Sequence, residues 1–321
     1  MEPEDVILGL DTSCYTTSVA VMNCQGELVR DARQILAVKQ GKCGLQQSEM
    51  VFQHTRNLPE LFATLPWESY RVVAVSATNQ PRPLAASYMP AFLTGLGLGR
   101  NLAKVLRVPL YTLSHQENHL LAGLWSAGGP KADKFIMLHA SGGTTDFLLA
   151  TKQAQGHFSL ETIGESIDLH AGQFVDRVGV ALGLKFPCGP ELEKLGKEAA
   201  EPLDLPIWTK EGKISFSGPC TKAVRLAQAG AEKKALALGT ERAIGKTFAQ
   251  ALRYLCQIHQ VNDVLLAGGV SANQVIDKII AQELAATKCH AHIPQPGYCG
   301  DGAVGAAFYG LCQLRENNDN R

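Results

Sequence analysis

Two stretches of this sequence repeat one design, which is an apolar strand, a turn of small residues and a second apolar strand. VILGLDTSCYTTSVAV occupies residues 6–21, and KFIMLHASGGTTDFLLA occupies residues 134–150. Further apolar runs typical of strands alternate with helical stretches along the chain. The sequence therefore predicts an α/β fold with two related halves and a cleft between them.

The composition narrows the class of protein. A chain of 321 residues is long enough for two domains, and its Lys and Arg residues equal its Asp and Glu residues at 30 each, so the whole chain lacks the basic excess of an autonomous nucleic-acid binder. No apolar run is long enough to span a membrane, and the first residues do not resemble a signal peptide. The nine cysteines show no CxxC pair. We expect a cytoplasmic protein with reduced thiols and no membrane contact.

Two Gly-rich turns are candidates for nucleotide binding. ASGGTTD (140–146) offers unobstructed backbone N–H groups and two hydroxyls, which can bind phosphate oxygens. LLAGGVSAN (265–273) places two glycines after a strand, with an asparagine as a polar anchor. Neither stretch has the Walker A or the dinucleotide pattern, and a tight turn without a ligand explains each one equally well. Placed in opposite halves, beside Asp11 and Thr12 of the first hairpin, the two turns together favour a nucleotide site.

The segment SHQENHLLAG places His115 and His119 on one face of a predicted helix. Two imidazoles can bind a metal ion if a carboxylate joins them. The segment lacks the glutamate of helix-borne zinc proteases, so peptide-bond hydrolysis is not expected. From the spacing alone, two partly exposed histidines that bind nothing are the more frequent outcome.

Seven motifs in order resemble those of the TsaD family, also called the glycoprotease or peptidase M22 family. They are ILGLDTSCYTTSVAV, HQENH, SGGTTD, GESIDLHAGQFVDRVGVALGLKFPCGP, ISFSGPCTKA, AGGVSAN and YCGDGAVGAA, and they cover essentially the entire chain. The resemblance implies an actin/Hsp70-like ATPase (ASKHA) fold, in which two ribonuclease-H-like domains face a nucleotide cleft. The expected domains are residues 1–130, with the helix of residues 301–316 packing back on them, and residues 131–300.

The same resemblance implies an activity and a site. TsaD proteins transfer a threonylcarbamoyl group from its AMP anhydride to N6 of adenosine 37 in tRNA, and TsaB-like and TsaE-like proteins are expected partners. The implied catalytic metal ligands are His115, His119 and Asp301, holding one divalent ion; iron or zinc suits them better than magnesium. An ATP- or AMP-type nucleotide is the expected substrate or ligand. The residues expected to bind the nucleotide or adenylated substrate are Asp11, Thr12, Ser141, Gly142, Gly143, Thr144, Asp176, Gly189, Gly268, Gly269 and Asn273.

Several motifs depart from the usual TsaD pattern and leave alternatives open. The changed positions include Tyr15, Thr16, Thr144, Cys188, Cys220 and Gly302. A diverged paralogue could act as a carbamoyl or acyl transferase, or as an ATP hydrolase, on an acceptor other than tRNA. A non-catalytic binding partner of a TsaD-type complex is a third alternative, and retention of all three metal ligands argues against it.

Overall fold

The computed structural model describes residues 2–38, 45–153 and 156–319. The strands are β1 (Glu4–Asp11), β2 (Thr16–Asn23), β3 (Leu28–Ile35), β4 (Tyr70–Gln80), β5 (Leu110–Ser114), β6 (Lys134–Ala140), β7 (Thr145–Lys152), β8 (Phe158–Ser166), β9 (Thr209–Lys210), β10 (Lys213–Ile214), β11 (Asp263–Ala267) and β12 (His290–His292). The α-helices are α1 (Gln47–Ala63), α2 (Phe92–Leu106), α3 (His115–Ala127), α4 (Ala171–Ala181), α5 (Gly189–Lys197), α6 (Ser217–Gln228), α7 (Lys233–His259), α8 (Gln274–Ala285) and α9 (Val304–Asp319). None of these helices is long and apolar enough to cross a membrane.

The chain divides into two compact units, each with its own sheet. The first comprises Met1–Trp125, Lys152–Phe158 and Asp301–Arg321, and the second comprises Ser126–Thr151 and Ser159–Gly300. The alternation of strands and helices within them confirms the α/β class.

The two sheets share one topology. In the first sheet the strand order is β3-β2-β1-β4-β5, and the second contains the corresponding order β8-β7-β6-β11-β12, extended by β10 and β9. Each begins with an antiparallel hairpin, β1 with β2 and β6 with β7, and then adds parallel strands. Both predicted hairpins are therefore confirmed. The sequence analysis missed β3 and α1, which lie between the first hairpin and the next buried strand.

The core of the first unit follows from the alternation of side chains along β1. Val6, Leu8 and Leu10 point to one face, where Leu58 of α1 and Leu96 of α2 join them in one apolar cluster. Burial of these side chains holds both helices on that face of the sheet.

The opposite face of β1 receives α9 because Gly9 has no side chain. A Cβ atom at Gly9 would lie 2.5 Å from the carbonyl oxygen of Ala303 and 2.6 Å from the backbone nitrogen of Ala307. The final helix therefore packs directly on β1, with further contacts to β2 and β4. It begins at Val304, three residues later than the motif around Asp301 suggested.

Candidate functional site

A reciprocal pair of hydrogen bonds sets the start of α3. The hydroxyl of Ser114 accepts the N–H of Glu117 at 3.2 Å, and the Glu117 carboxylate accepts the N–H and the O–H of Ser114 at 2.8 and 2.7 Å. This is a capping box, and the sequence SHQE carries its S-x-x-E signature. The helix consequently starts at His115, and His119 lies one turn later on the same face. Their Nε2 atoms are 3.0 Å apart.

The segment before α9 brings Asp301 to these two histidines. Its Oδ1 atom lies 3.4 Å from Nε2 of His115 and 3.4 Å from Nε2 of His119. The Asn118 side chain donates to the carbonyl oxygen of Gly302 at 2.7 Å, which fixes this segment against α3. The structure therefore unites the three residues that the sequence resemblance proposed as metal ligands.

A second carboxylate lies behind His115. The Oδ2 atom of Asp11 is 3.6 Å from Nδ1 of His115, and the Asp11 side chain has no solvent exposure. Asp11 also accepts hydrogen bonds from the N–H and hydroxyl of Ser13 at 3.1 and 2.9 Å and from the hydroxyl of Thr78 at 2.6 Å. A carboxylate on the second nitrogen of a metal-binding imidazole orients the ring.

Charge interactions in this cluster shift the pKa values in opposite directions. Burial by itself would lower the pKa of His115, but its interactions with the carboxylates of Asp11 and Asp301 raise it to about 10. Burial and the charge on His115 lower the pKa of His119. Burial would raise the pKa of Asp301, but hydrogen bonds to the two histidines, and their charges, hold it well below its usual range. The two carboxylates thus favour the protonated form of His115, and the two histidines favour the ionised form of Asp301.

The donor set fits a divalent metal ion. Two imidazole nitrogens and one carboxylate oxygen lie within 3.4 Å of one another, and the histidine side chains are buried. The Nδ1 atom of His115 is buried without a hydrogen-bond partner. The Sγ atom of Cys14, a nitrogen of His115 and an oxygen of Asp301 also lie within 4.8 Å of one another. Nitrogen, oxygen and sulfur donors suit zinc or iron better than magnesium. Our sequence analysis missed Cys14, although it stands in the first Ser/Thr-rich turn.

Thr12 has partners within the first unit. Its hydroxyl donates to the carbonyl oxygen of Ala91 and accepts the N–H of Gly95, both at 2.9 Å. Like Asp11, its side chain has no solvent exposure. A role of these two residues in nucleotide binding stays a prediction.

The Gly-rich turn after β6 is compact and open on one side. The hydroxyl of Ser141 accepts the N–H groups of Gly143 and Thr144 at 3.3 and 3.1 Å. A Cβ atom at Gly142 or Gly143 would meet no atom within 4 Å, so the outer side of the turn is accessible to a ligand. Gly172, near the start of α4, donates its N–H to the Ser141 carbonyl oxygen at 3.1 Å and holds the turn in place.

The turn after β11 packs against the turn after β6. Gly268 has a φ of +91°, and a Cβ atom there would lie 2.2 Å from the carbonyl oxygen of Ala140. The strands β6 and β11 are parallel neighbours, and both turns belong to the second unit. The expectation that the two turns lie in opposite halves is therefore wrong. They follow the carboxyl ends of adjacent parallel strands, where α/β sheets bind ligands, and Gly269 begins a short 3₁₀ helix there.

Asn273 caps α8 with its side chain. Its Oδ1 atom accepts the N–H groups of Val275 and Ile276 at 3.0 Å, and its Nδ2 atom donates to Oε1 of Glu241 at 2.6 Å. The amide thus links the start of α8 to α7. Glu241 fixes the orientation of this amide, and the sequence analysis missed it because the two residues meet only through the packing of α7 against α8.

Asp176 and Gly189 come together through the loop between α4 and α5. The Oδ1 atom of Asp176 accepts the N–H of Cys188 at 2.8 Å, and burial raises the pKa of Asp176. Gly189 begins α5, and a Cβ atom there would meet nothing within 4 Å. Gly179 of α4 leaves room for Cys188, since a Cβ atom at Gly179 would lie 2.2 Å from Cβ of Cys188.

The fold is that of the actin/Hsp70-like ASKHA class. Full-length HypF, solved with phosphate and nucleotide bound, is similar over 98% of this chain and 47% of its own length, with a TM-score of 0.60 and 14% identity. The ADPNP-bound activator of 2-hydroxyisocaproyl-CoA dehydratase from Clostridium difficile is similar over 98% of both chains, with a TM-score of 0.55 and 16% identity. Identities this low show the fold alone.

Sequence comparison then places the chain in one family. The profile of TsaD, described as tRNA N6-adenosine threonylcarbamoyltransferase, matches residues 87–308. A tRNA N6-adenosine threonylcarbamoyltransferase of Thermus thermophilus is 31% identical over 93% of this chain and 90% of its own length. The probable bifunctional tRNA threonylcarbamoyladenosine biosynthesis protein of Methanothermobacter thermautotrophicus is 28% identical over 94% of this chain, which spans only 55% of that relative. The protein belongs to the TsaD family.

Proposed function

We propose that this protein transfers a threonylcarbamoyl group from threonylcarbamoyl-AMP to N6 of adenosine 37 in tRNA. Membership of the TsaD family and the names of its relatives support this activity. The observation that carries the proposal is the meeting of His115, His119 and Asp301, because these ligands come from distant parts of the chain and lie within 3.4 Å of one another.

These three residues would hold one divalent ion, iron or zinc. When bound, the ion would supply a Lewis acid for a carbonyl or phosphate oxygen of the substrate. Asp11 supports this role, because it lies at Nδ1 of His115 and leaves Nε2 on the side of His119 and Asp301. Magnesium fits less well, since it prefers oxygen ligands.

The turns of the second unit are suited to the adenylate. The open side of the Gly142 turn would bind phosphate oxygens through the N–H of Gly142, because those of Gly143 and Thr144 donate to the Ser141 hydroxyl. The second N–H of Asn273 and the second carboxylate oxygen of Asp176 would contact the base or the ribose hydroxyls. Gly189 and Gly269 leave open space, since a Cβ atom at either position would meet no atom within 4 Å.

In the proposed reaction, N6 of the adenosine attacks the carbonyl carbon of the carbamoyl group. A bond from N6 to carbon forms, the bond from carbon to the AMP phosphate oxygen breaks, and N6 loses one proton as AMP leaves. Backbone N–H groups at the leaving phosphate would stabilise the charge that develops there.

The charge balance argues that other proteins help to bind tRNA. The formal net charge of the chain is zero, whereas phosphate contacts need basic surface. TsaB-like and TsaE-like partners would supply it, and the reaction is expected in the cytoplasm.

The test is reconstitution of the transfer. Purified protein is incubated with threonine, bicarbonate, ATP, a threonylcarbamoyl-AMP synthase, partner proteins and unmodified tRNA, and the digested nucleosides are analysed by mass spectrometry. We expect threonylcarbamoyladenosine with the wild type and with His290→Ala, an exposed histidine of β12, and none with His119→Ala. Absence of product from the wild type, under conditions in which the Thermus thermophilus relative forms it, would refute the proposal.

A second candidate is transfer of a carbamoyl or acyl group to an acceptor other than tRNA, or ATP hydrolysis. It is favoured by the positions of the changed residues around the site. The N–H of Tyr15 lies 3.5 Å from Oδ2 of Asp301, Gly302 follows that ligand directly, and the N–H of Cys188 donates to Asp176. Release of AMP or ADP without a modified nucleoside would support this candidate.

A further inference from the structure

Cys14 lies beside the cluster of His115, His119 and Asp301, which we call the ligand cluster. Its Sγ atom, a nitrogen of His115 and an oxygen of Asp301 are all within 4.8 Å of one another. Those distances place the sulfur beside two of the three residues of the ligand cluster.

The turn that carries Cys14 is fixed on both sides of it. Asp11 accepts the N–H and hydroxyl of Ser13 at 3.1 and 2.9 Å, so the residue before Cys14 is held. The residue after it, Tyr15, directs its N–H toward Asp301 and accepts the N–H of Leu36 at 2.8 Å. These contacts hold the backbone of the β1–β2 turn on both sides of Cys14.

The chemistry of the thiol suits a metal ligand. A thiol that coordinates a divalent ion loses its proton to solvent and binds as a thiolate. The sulfur of Cys14 lies beside His115 and Asp301, which are two of the residues that would hold the ion.

We propose that Cys14 is a fourth protein ligand of the ion held by the ligand cluster, and that its sulfur selects zinc or iron(II) over magnesium. The inference rests on the metal site of the proposed function but not on the transfer reaction. On binding, a metal–sulfur bond replaces the S–H bond of Cys14, and the proton passes to water. Two imidazoles, one carboxylate and one thiolate would give the ion four protein ligands. A substrate oxygen would then bind as a fifth ligand.

The first experiment replaces the native ion with cobalt(II) in the full-length protein. A thiolate ligand gives an intense near-ultraviolet charge-transfer band, whereas imidazole and carboxylate ligands give only the weaker visible bands. We expect the charge-transfer band in the wild type and in Cys24→Ser, a matched control in the same unit, and its loss in Cys14→Ser with the visible bands retained. A wild-type spectrum with visible bands and no charge-transfer band would overturn the inference.

The second experiment needs no variant, so it holds even if a substitution at residue 14 prevents folding. X-ray absorption at the zinc edge of the zinc-loaded wild type should show one sulfur neighbour at about 2.3 Å. If the zinc has only nitrogen and oxygen neighbours, Cys14 is not a ligand, and the proposed roles of His115, His119 and Asp301 are unaffected. Failure to bind zinc or cobalt at all overturns the metal site together with this inference. The nucleoside assay reports on the transfer reaction separately.

Metal competition measures the selectivity. Loss of the sulfur ligand should weaken zinc binding by about 10- to 100-fold or more, since even outer partners of metal ligands contribute that much. Magnesium affinity should stay unchanged, because sulfur is a poor ligand for it. Equal loss of affinity for both ions would contradict the proposed selectivity.

Discussion

The Oδ2 atom of Asp11 lies 3.6 Å from Nδ1 of His115, while Nε2 of the same ring lies 3.4 Å from Asp301. Each nitrogen of this imidazole therefore faces a carboxylate. Asp11, the last residue of β1, is fully buried, and Asp301 lies in the segment before α9. The two carboxylates lie at opposite nitrogens of the ring, and Nε2 is on the side of His119.

Asp11→Asn should weaken metal binding without removing a ligand. Loss of the negative charge beside Nδ1 makes the His115 ring less basic and less firmly oriented. We therefore expect the affinity for the metal ion to fall by about 10- to 100-fold. Titration with zinc against a competing chelator measures it. Asp5→Asn, at an exposed ion pair with Arg71, is the matched control, and equal affinities of the two variants would exclude an orienting role for Asp11.

Removal of a proposed ligand should lower the metal content itself. His115→Ala and Asp301→Ala each leave two of the three ligands described in the cluster, and we expect both to be purified with little metal by elemental analysis. The exposed His290 provides the control substitution to Ala. If Asp301→Ala retains as much metal as the wild type, Asp301 does not belong to the site.

Gly142→Val should block nucleotide binding while the protein stays folded. The side chain would extend into the open side of the turn, where it meets no protein atom within 4 Å but would occupy the space of a phosphate. Calorimetric titration with AMP and ATP measures nucleotide binding, and a thermal melt shows whether the variant is folded. Gly218→Val, at another glycine with open space around it, should bind nucleotide as the wild type does. Unchanged nucleotide affinity in Gly142→Val would remove this turn from the site.

Gly9→Ala and Gly97→Ala should change the stability in opposite directions. At Gly9 a Cβ atom would collide with the backbone of α9, which cannot move without losing its packing, so we expect a loss of about 1–3 kcal/mol or more. At Gly97, inside α2, a Cβ atom meets nothing within 4 Å, and the better helix propensity of alanine should add up to about 1 kcal/mol. Urea denaturation measures the free energy of unfolding of both variants. An unchanged free energy of unfolding in Gly9→Ala would mean that α9 does not lie on β1 as described.

Glu241 should make stability fall as the pH rises from weakly acidic to neutral. Burial is the main cause that raises its pKa from 4.5 to about 7 in the folded protein. Between these values the folded state binds more protons than the unfolded state, so unfolding becomes easier by about 1.4 kcal/mol per pH unit from this group. Below this range and above it the contribution is constant.

Glu241→Gln tests this pH dependence because glutamine does not titrate. The free energy of unfolding of the variant, relative to the wild type, should be higher at pH 8 than at pH 5, measured by urea denaturation. Glu198→Gln, at an exposed ion pair with Lys234, should show no such rise. A pH-independent difference for Glu241→Gln would show that Glu241 is ionised in the folded protein throughout this range.

The sequence by itself determined the local elements and the family. The short apolar runs on both sides of a small-residue turn in residues 6–21 and 134–150 predict strands, and the HQENH spacing places two histidines on one helical face. The order of the seven motifs identified the TsaD family, which the comparisons support over most of the chain.

Only the tertiary structure decided which of these residues meet. Asp301 reaches His115 and His119 because α9 packs on the glycine face of β1, and Cys14 joins them because the β1–β2 turn lies beside that segment. The two Gly-rich turns came to lie in one unit because β6 and β11 are parallel neighbours in a single sheet. Such contacts depend on how whole sheets and helices pack, and the free energy of that packing is spread over many residues with no local signature in the chain.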